Sequence, residues 1–279
     1  MKIRTDLISE TAADAPDIKG IRCYEENVGD VKLSFVEIMD RNASEQLKKP
    51  IGKYCTIEFP RLDSIANTDP LTEAVVSALK SLYPTDIKTT LIVGLGNTDI
   101  TPDALGPFTA NGILATRHLS GDLKKALGLE DLKSVCSIIP GVLGKTGIEA
   151  FDLIAAAVSK IKPSLIIAVD ALAARSATRL CRTIQLSDSG ICPGSGVNNA
   201  RKELSQSTFS IPVISLGIPT VIDANSLLPQ DENNKTDDSM MVTPKDIDLL
   251  ISKSAAILSR ALNIFLQPNL DIEVISSLT

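Results

Sequence analysis

The sequence predicts an α/β fold, a mostly parallel sheet with helices on both faces, entered through a β-rich N-terminal part. Three observations lead there. Leu91-Ile92-Val93, Leu165-Ile166-Ile167-Ala168-Val169 and Val213-Ile214-Ser215-Leu216 are short apolar runs without polar alternation, as in strands buried on both faces. Helical stretches lie between such runs, most clearly over Gly147–Lys160, and strand–helix alternation implies parallel pairing. Before residue 66 the pattern instead has period two: Val31, Leu33 and Phe35 alternate with Lys32 and Ser34, and Cys55, Ile57 and Phe59 with Tyr54, Thr56 and Glu58, the mark of half-buried strands.

Along the chain, Asp40–Ser44 reads as a turn. Asp69-Pro70 opens a helix through Leu71–Tyr83, with Asp69 as N-cap and Pro70 at N1. Residues 66–224 carry the alternation, 225–241 are a polar loop, and Thr243-Pro244-Lys245-Asp246 caps a helix running to about Phe265 within a C-terminal part, 242–279. The 279 residues read as one domain, with 7–65 as its β-rich beginning.

Composition narrows the function. Lys+Arg 28 against Asp+Glu 34 gives a net charge of −6, and no basic run is longer than two residues, which speaks against direct nucleic-acid binding. The start is charged and lacks an apolar signal core. No apolar run approaches the ~20 residues that span a bilayer, so no membrane partner is expected. Five scattered cysteines without a CxxC pair suit reduced thiols in a cytoplasm. His118 is the only histidine, so neither a metal nor another cofactor is expected.

Four places carry chemistry. Gly94-Leu95-Gly96-Asn97 stands where a dinucleotide-binding turn would, but Asp99 occupies the third glycine position and would repel a pyrophosphate; a tight strand-to-helix turn accounts for it. Gly194-Ser195-Gly196 resembles a nucleophile elbow, but Pro193 stands where the first glycine belongs; a glycine-rich loop near a substrate or another backbone fits better. Cys192 lies in the same loop and reads as an incidental thiol. The fourth is a pair of carboxylates. Asp103 follows the first buried strand and Asp170 ends the next, so both face the rim where open α/β sheets bind ligands. Two close acids can share one proton, one acting as base towards water and the other as acid. Each also has a structural explanation: Asp103 as a first-turn acid behind Thr101-Pro102, and Asp170 as an N-cap. Asp223 has a similar setting.

The ordered succession of these strings resembles the germination proteases of spore-forming bacteria. It runs from Arg4-Thr-Asp-Leu7 through Leu91–Asn97, Thr101–Pro107, Thr116–Leu119, Pro140–Glu149, Asp170–Arg175, Pro193–Gly196 and Ile218–Val221 to Met241–Pro244. The resemblance implies a three-layer α/β sandwich related to hydrogenase-maturation proteases. It also implies a cytoplasmic endopeptidase of the spore core, a homotetramer that degrades small acid-soluble spore proteins during germination. The family's catalytic aspartates fall on Asp103 and Asp170. Its self-processing precursors imply a short propeptide, residues 1–6, removed between Asp6 and Leu7; Thr5-Asp6-Leu7-Ile8-Ser9-Glu10 resembles the site cut in substrates, an acid, an apolar residue, a small stretch, then Glu.

The chain departs from the family at Cys192, where a histidine is common, at Asn198 and Ala200, and in a short Leu227–Met241 segment. Neither proposed acid is touched. Within this reading one carboxylate activates water while the other protonates the leaving amine, and backbone N–H groups of Gly94–Gly96 or Gly194–Gly196 stabilise the oxyanion. Two other readings stay open: an inactive or precursor-locked homologue that binds spore proteins, and a metal-dependent peptidase.

Overall fold

The computed structural model describes residues 5–13, 18–29, 31–83, 88–126, 129–194, 202–227, 240–271 and 273–275. Its strands are β1 (Ile21–Val28), β2 (Val31–Ile38), β3 (Gly52–Glu58), β4 (Thr89–Gly94), β5 (Ser134–Ile138), β6 (Leu165–Ala174), β7 (Thr183–Ser187), β8 (Val213–Asp223) and β9 (Met241–Val242). They form one sheet in the order β1-β2-β3-β7-β8-β6-β4-β5, with β9 on the end of β8. The helices are α1 (Ile8–Ala13), α2 (Arg41–Leu47), α3 (Asp69–Leu82), α4 (Leu105–Asn111), α5 (Gly121–Ala126), α6 (Leu143–Thr146), α7 (Ala150–Ile161), α8 (Gln206–Phe209) and α9 (Ile247–Leu266).

The apolar runs become the parallel half of the sheet, β8-β6-β4-β5. The N-terminal strands do not form a separate unit but extend the same sheet antiparallel through β7. A short connection such as the one from Val28 to Val31 allows no other pairing. The larger core lies on one face, where α3, α4 and α9 cover Leu33, Cys55, Ile184, Leu216, Ile167 and Ile92. On the other face α7 covers Leu91, Val93, Ile166 and Ala168 through Ile154 and Val158. Beyond α7 that second face turns polar, and the cavity described below opens there.

Several local expectations shift. Asp40–Ser44 is not a free turn: Asp40 accepts from the Ala43 N–H at 2.9 Å and starts α2, because an Asx side chain that can form a turn can equally cap a helix. Helix α3 begins one residue early, with Thr68 at the N-cap and Asp69 in the first turn. Thr243 caps nothing; its hydroxyl donates to the Thr220 carbonyl at 2.8 Å, and α9 starts behind Asp246. Strand β1 has an almost wholly exposed edge position and so lacked any apolar pattern. Helix α9, against the expectation from the apolar runs, is long and apolar enough by length and composition to cross a membrane, but it is mostly buried as a core helix.

Candidate active site at the carboxyl end of β6

Alternation along β6 sets the site. Ile166 and Ala168 face the α7 layer, and Leu172 and Ala174 continue the same face into a small cluster with Leu7. Asp170 lies between them, on that face. It neither ends the strand nor caps a helix, since β6 runs on to Ala174. Strand β4 stops at Gly94, opposite Val169, so from Asp170 onward β6 has a free edge on that side.

Asp103 comes off the end of β4 close enough for its charge to act on Asp170, but it does not itself line the cavity described below. It closes a 3₁₀ turn, Thr101–Asp103, and α4 begins only at Leu105, so it is not a first-turn acid of that helix. Its carbonyl accepts from the Asn97 N–H at 3.0 Å. Gly96, at φ +123°, and Gly94 allow this tight return: a Cβ on Gly94 would meet Ala110 Cβ at 2.7 Å. Gly96 thus packs against Asp103 and Gly94 against α4. The Asp170 carboxyl is buried, and its pKa is raised well above 3.8 by that burial, then by the charges of Asp103 and Asp6. The Ala171 N–H, 2.9 Å from Asp170 Oδ1, opposes the shift.

The N-terminal segment occupies the free edge of β6. The Asp6 N–H donates to the Ala173 carbonyl at 3.0 Å, and the Ala173 N–H donates to Asp6 Oδ2 at 2.8 Å, so Asp6 pairs where β4 has ended. Leu7 is fully buried against Leu172, Ala174, Leu180 and Ile191, a burial worth about 2 kcal/mol. Ile8 is buried in a separate cluster with Val36, Ile38 and Tyr54. Glu10, also buried, accepts from the N–H groups of Arg175 and Ser176, each at 2.8 Å, and from the Thr5 hydroxyl. Arg175 binds the Glu10 carbonyl at 2.9 Å, and Arg179 approaches the carboxylate at 3.9 Å. Every residue of the predicted cleavage motif except Ser9 therefore has a specific seat. Truncation of Glu10 to Ala strands two N–H groups and should weaken this docking by about 2–3 kcal/mol; amide hydrogen exchange over residues 7–12 should rise accordingly.

Asp6, Asp170, Lys49, Gln185 and Cys192 line one cavity of about 260 Å³. Its floor is the polar face of the sheet: Gln185 and Ser187 from β7, Ser215 and Gly217 from β8, Tyr54 from β3. The intervening residues Ile184, Leu186, Leu216 and Cys55 face the larger core. Gly194 lies on the cavity wall, whereas Ser195 and Gly196 fall outside the described residues. His118 is exposed and does not line the cavity. Asp223 accepts from the Asn225 N–H at 2.9 Å and caps a 3₁₀ turn after β8. Among the described residues no group of three or more His, Cys, Asp or Glu is arranged to hold a metal ion.

Comparison with known proteins settles the family. Residues 3–233 match the family model described as germination protease. The chain belongs to the germination protease family. The germination protease of Clostridium tetani is 36% identical to it over 99% of both chains. That of Priestia megaterium is 44% identical over 81% of this chain and 65% of its own. A solved structure, the [NiFe] hydrogenase maturation protease HycI from Thermococcus kodakarensis, overlays 68% of this chain and 98% of its own at TM-score 0.39 and 15% identity. Membership makes the chain a hydrolase of peptide bonds, an endopeptidase of spore germination.

For this germination protease, sequence reasoning missed Lys49 and Gln185. Gln185 left a faint signal, since Thr183-Ile184-Gln185-Leu186-Ser187 alternates; Lys49, in Lys48-Lys49-Pro50, left none.

Proposed function

We propose that this endopeptidase degrades small acid-soluble spore proteins in the cytoplasm of the spore core, as a homotetramer, and is made as a precursor that trims itself between Asp6 and Leu7. In this reading Asp103 and Asp170 are the catalytic pair. The observation that carries it is the seating of the Asp6–Leu7 peptide in the same cavity as the buried Asp170.

The chemistry follows from the charges. Burial and two neighbouring carboxylates favour the protonated form of Asp170, so the pair retains one proton where an isolated aspartate would have lost it. The charged member takes a proton from water as the oxygen attacks the Asp6 carbonyl carbon, and the protonated member delivers its proton to the Leu7 nitrogen as the bond breaks. The pair titrates as a unit, so the roles belong to the pair rather than to either residue. Edge pairing with Ala173 would hold a substrate strand as it holds Asp6.

A second reading draws on the same contacts: the segment Asp6–Glu10 fills the cleft, as in a precursor-locked protein that binds spore proteins without cutting them. Intact-mass spectrometry at mildly acidic pH, with a small acid-soluble spore protein present, separates the two. Loss of Met1–Asp6 followed by cleavage of the spore protein is the expected result; an unchanged mass and an uncut substrate under all activating conditions would leave the locked reading.

A further inference from the structure

The carbonyl oxygen of Asp6 accepts two side-chain hydrogen bonds, from Lys49 Nζ at 2.8 Å and from Gln185 Nε2 at 2.8 Å. Gln185 cannot be turned the other way. The Ile8 N–H donates to Gln185 Oε1, and a backbone N–H can only donate, so the amide nitrogen must face Asp6. Gln185 is buried on β7. Lys49 is held by a second bond to the Thr5 carbonyl at 3.2 Å. Burial lowers the lysine pKa, and Asp6 and Glu10 hold it up. By contrast, Gly94 packs against α4 and Gly96 against Asp103, and neither lines the cavity.

We infer that Lys49 and Gln185 form the oxyanion pocket of the hydrolysis, an inference that rests on cleavage at Asp6–Leu7 by the aspartate pair. When water adds to the Asp6 carbonyl carbon, a C–O bond forms and the carbonyl π electrons move onto its oxygen. The Lys49 ammonium and the Gln185 amide are already aimed at that oxygen and meet the new charge without reorganising. As the tetrahedral centre collapses, the C–N bond breaks, its electron pair stays on the Leu7 nitrogen, and the shared proton of the pair completes the leaving amine. Gln185 has a second task, since its Oε1 fixes the residue two positions beyond the scissile carbonyl. A substrate strand that replaces the N-terminal segment would present its own carbonyl to the same two donors.

The test uses the full-length chain and reads the first-order loss of Met1–Asp6 by intact mass in wild type, Lys49→Met, Gln185→Leu and Lys49→Arg. Removing either donor should slow cleavage on the order of 100-fold, with partial rescue by Lys49→Arg. Amide exchange at Asp6, Arg175 and Ser176, whose N–H groups bond Ala173 and Glu10 rather than either donor, is measured with each substitution in an Asp170→Asn background and reports whether the segment stays docked. Slow cleavage with docking retained supports the oxyanion role. Wild-type rates in both donor variants overturn it, and so does slow cleavage with docking lost, which would make the two residues anchors. If wild type itself never cuts at Asp6–Leu7, the underlying reading fails first, and that outcome is recognisable from the wild-type lane alone.

Discussion

Asp170→Asn is expected to slow cleavage on the order of 10³-fold and, at neutral pH, to make the protein more stable than wild type. The two effects share one cause. In the folded protein the Asp170 pKa is raised well above 3.8 by burial and then by Asp103 and Asp6, whereas in the unfolded chain it is near 4. Between those values the folded state keeps a proton that the unfolded state has released. The stability linked to that proton is fully present below the unfolded pKa and is lost as pH rises through the folded one, at about 1.4 kcal/mol for each unit of separation. Asparagine cannot ionise, and its Oδ1 can still accept from the Ala171 N–H as Asp170 does. The melting temperature of the variant should therefore match wild type at pH 3 and exceed it increasingly towards pH 7. Wild-type cleavage should decline with rising pH over the window in which the pair loses its shared proton. Equal melting temperatures across that range would show that Asp170 carries no such penalty, and the one-proton pair would have to be abandoned.

Gly106→Ala should cost about 3 kcal/mol, at the upper end of overpacking, and should disable cleavage with it. A Cβ at Gly106 would stand 2.6 Å from the Leu95 nitrogen and closer still to the carbonyl oxygens of Leu95 and Val169. All three atoms are backbone, two of them partners in the 2.8 Å hydrogen bond from the Leu95 N–H to the Val169 carbonyl that joins the end of β4 to the middle of β6. No flexible side chain can yield, so α4 has to move away from the sheet and carry the preceding Asp103 turn with it. Gly144→Ala is the matched control: nothing lies within 4 Å of the added methyl, and α6 should tolerate or gain from it by a few tenths of a kcal/mol, about the sign expected for Gly→Ala in a compatible helix. Urea midpoints of the two variants, read beside cleavage rates, check both statements. A Gly106→Ala protein with a wild-type midpoint would mean that the close approach of α4 to the strand ends is not what holds Asp103 in place.

Some of this architecture was legible from residues alone. The runs at Leu91, Leu165 and Val213 announced strands β4, β6 and β8 because a strand buried on both faces has no room for polar side chains. Asp103 and Asp170 stood out as candidate acids because each follows or interrupts such a run at its carboxyl end. Capping was read less well: Asp40, Thr68 and Thr243 all carry side chains able to bond the local backbone, and only the neighbours they meet decide whether they cap, turn or reach across to another strand.

By itself the sequence determined the alternating α/β plan and singled out the two acids and the Asp6–Glu10 motif as candidates, since periodicity and local chemistry are properties of consecutive residues. Tertiary structure alone decided that β6 outruns β4, leaving an edge for Asp6, and that Lys49 and Gln185 converge on one carbonyl. Those facts join residues 43 and 179 positions apart, and such pairings are set by the order of strands in the sheet, which no local pattern encodes.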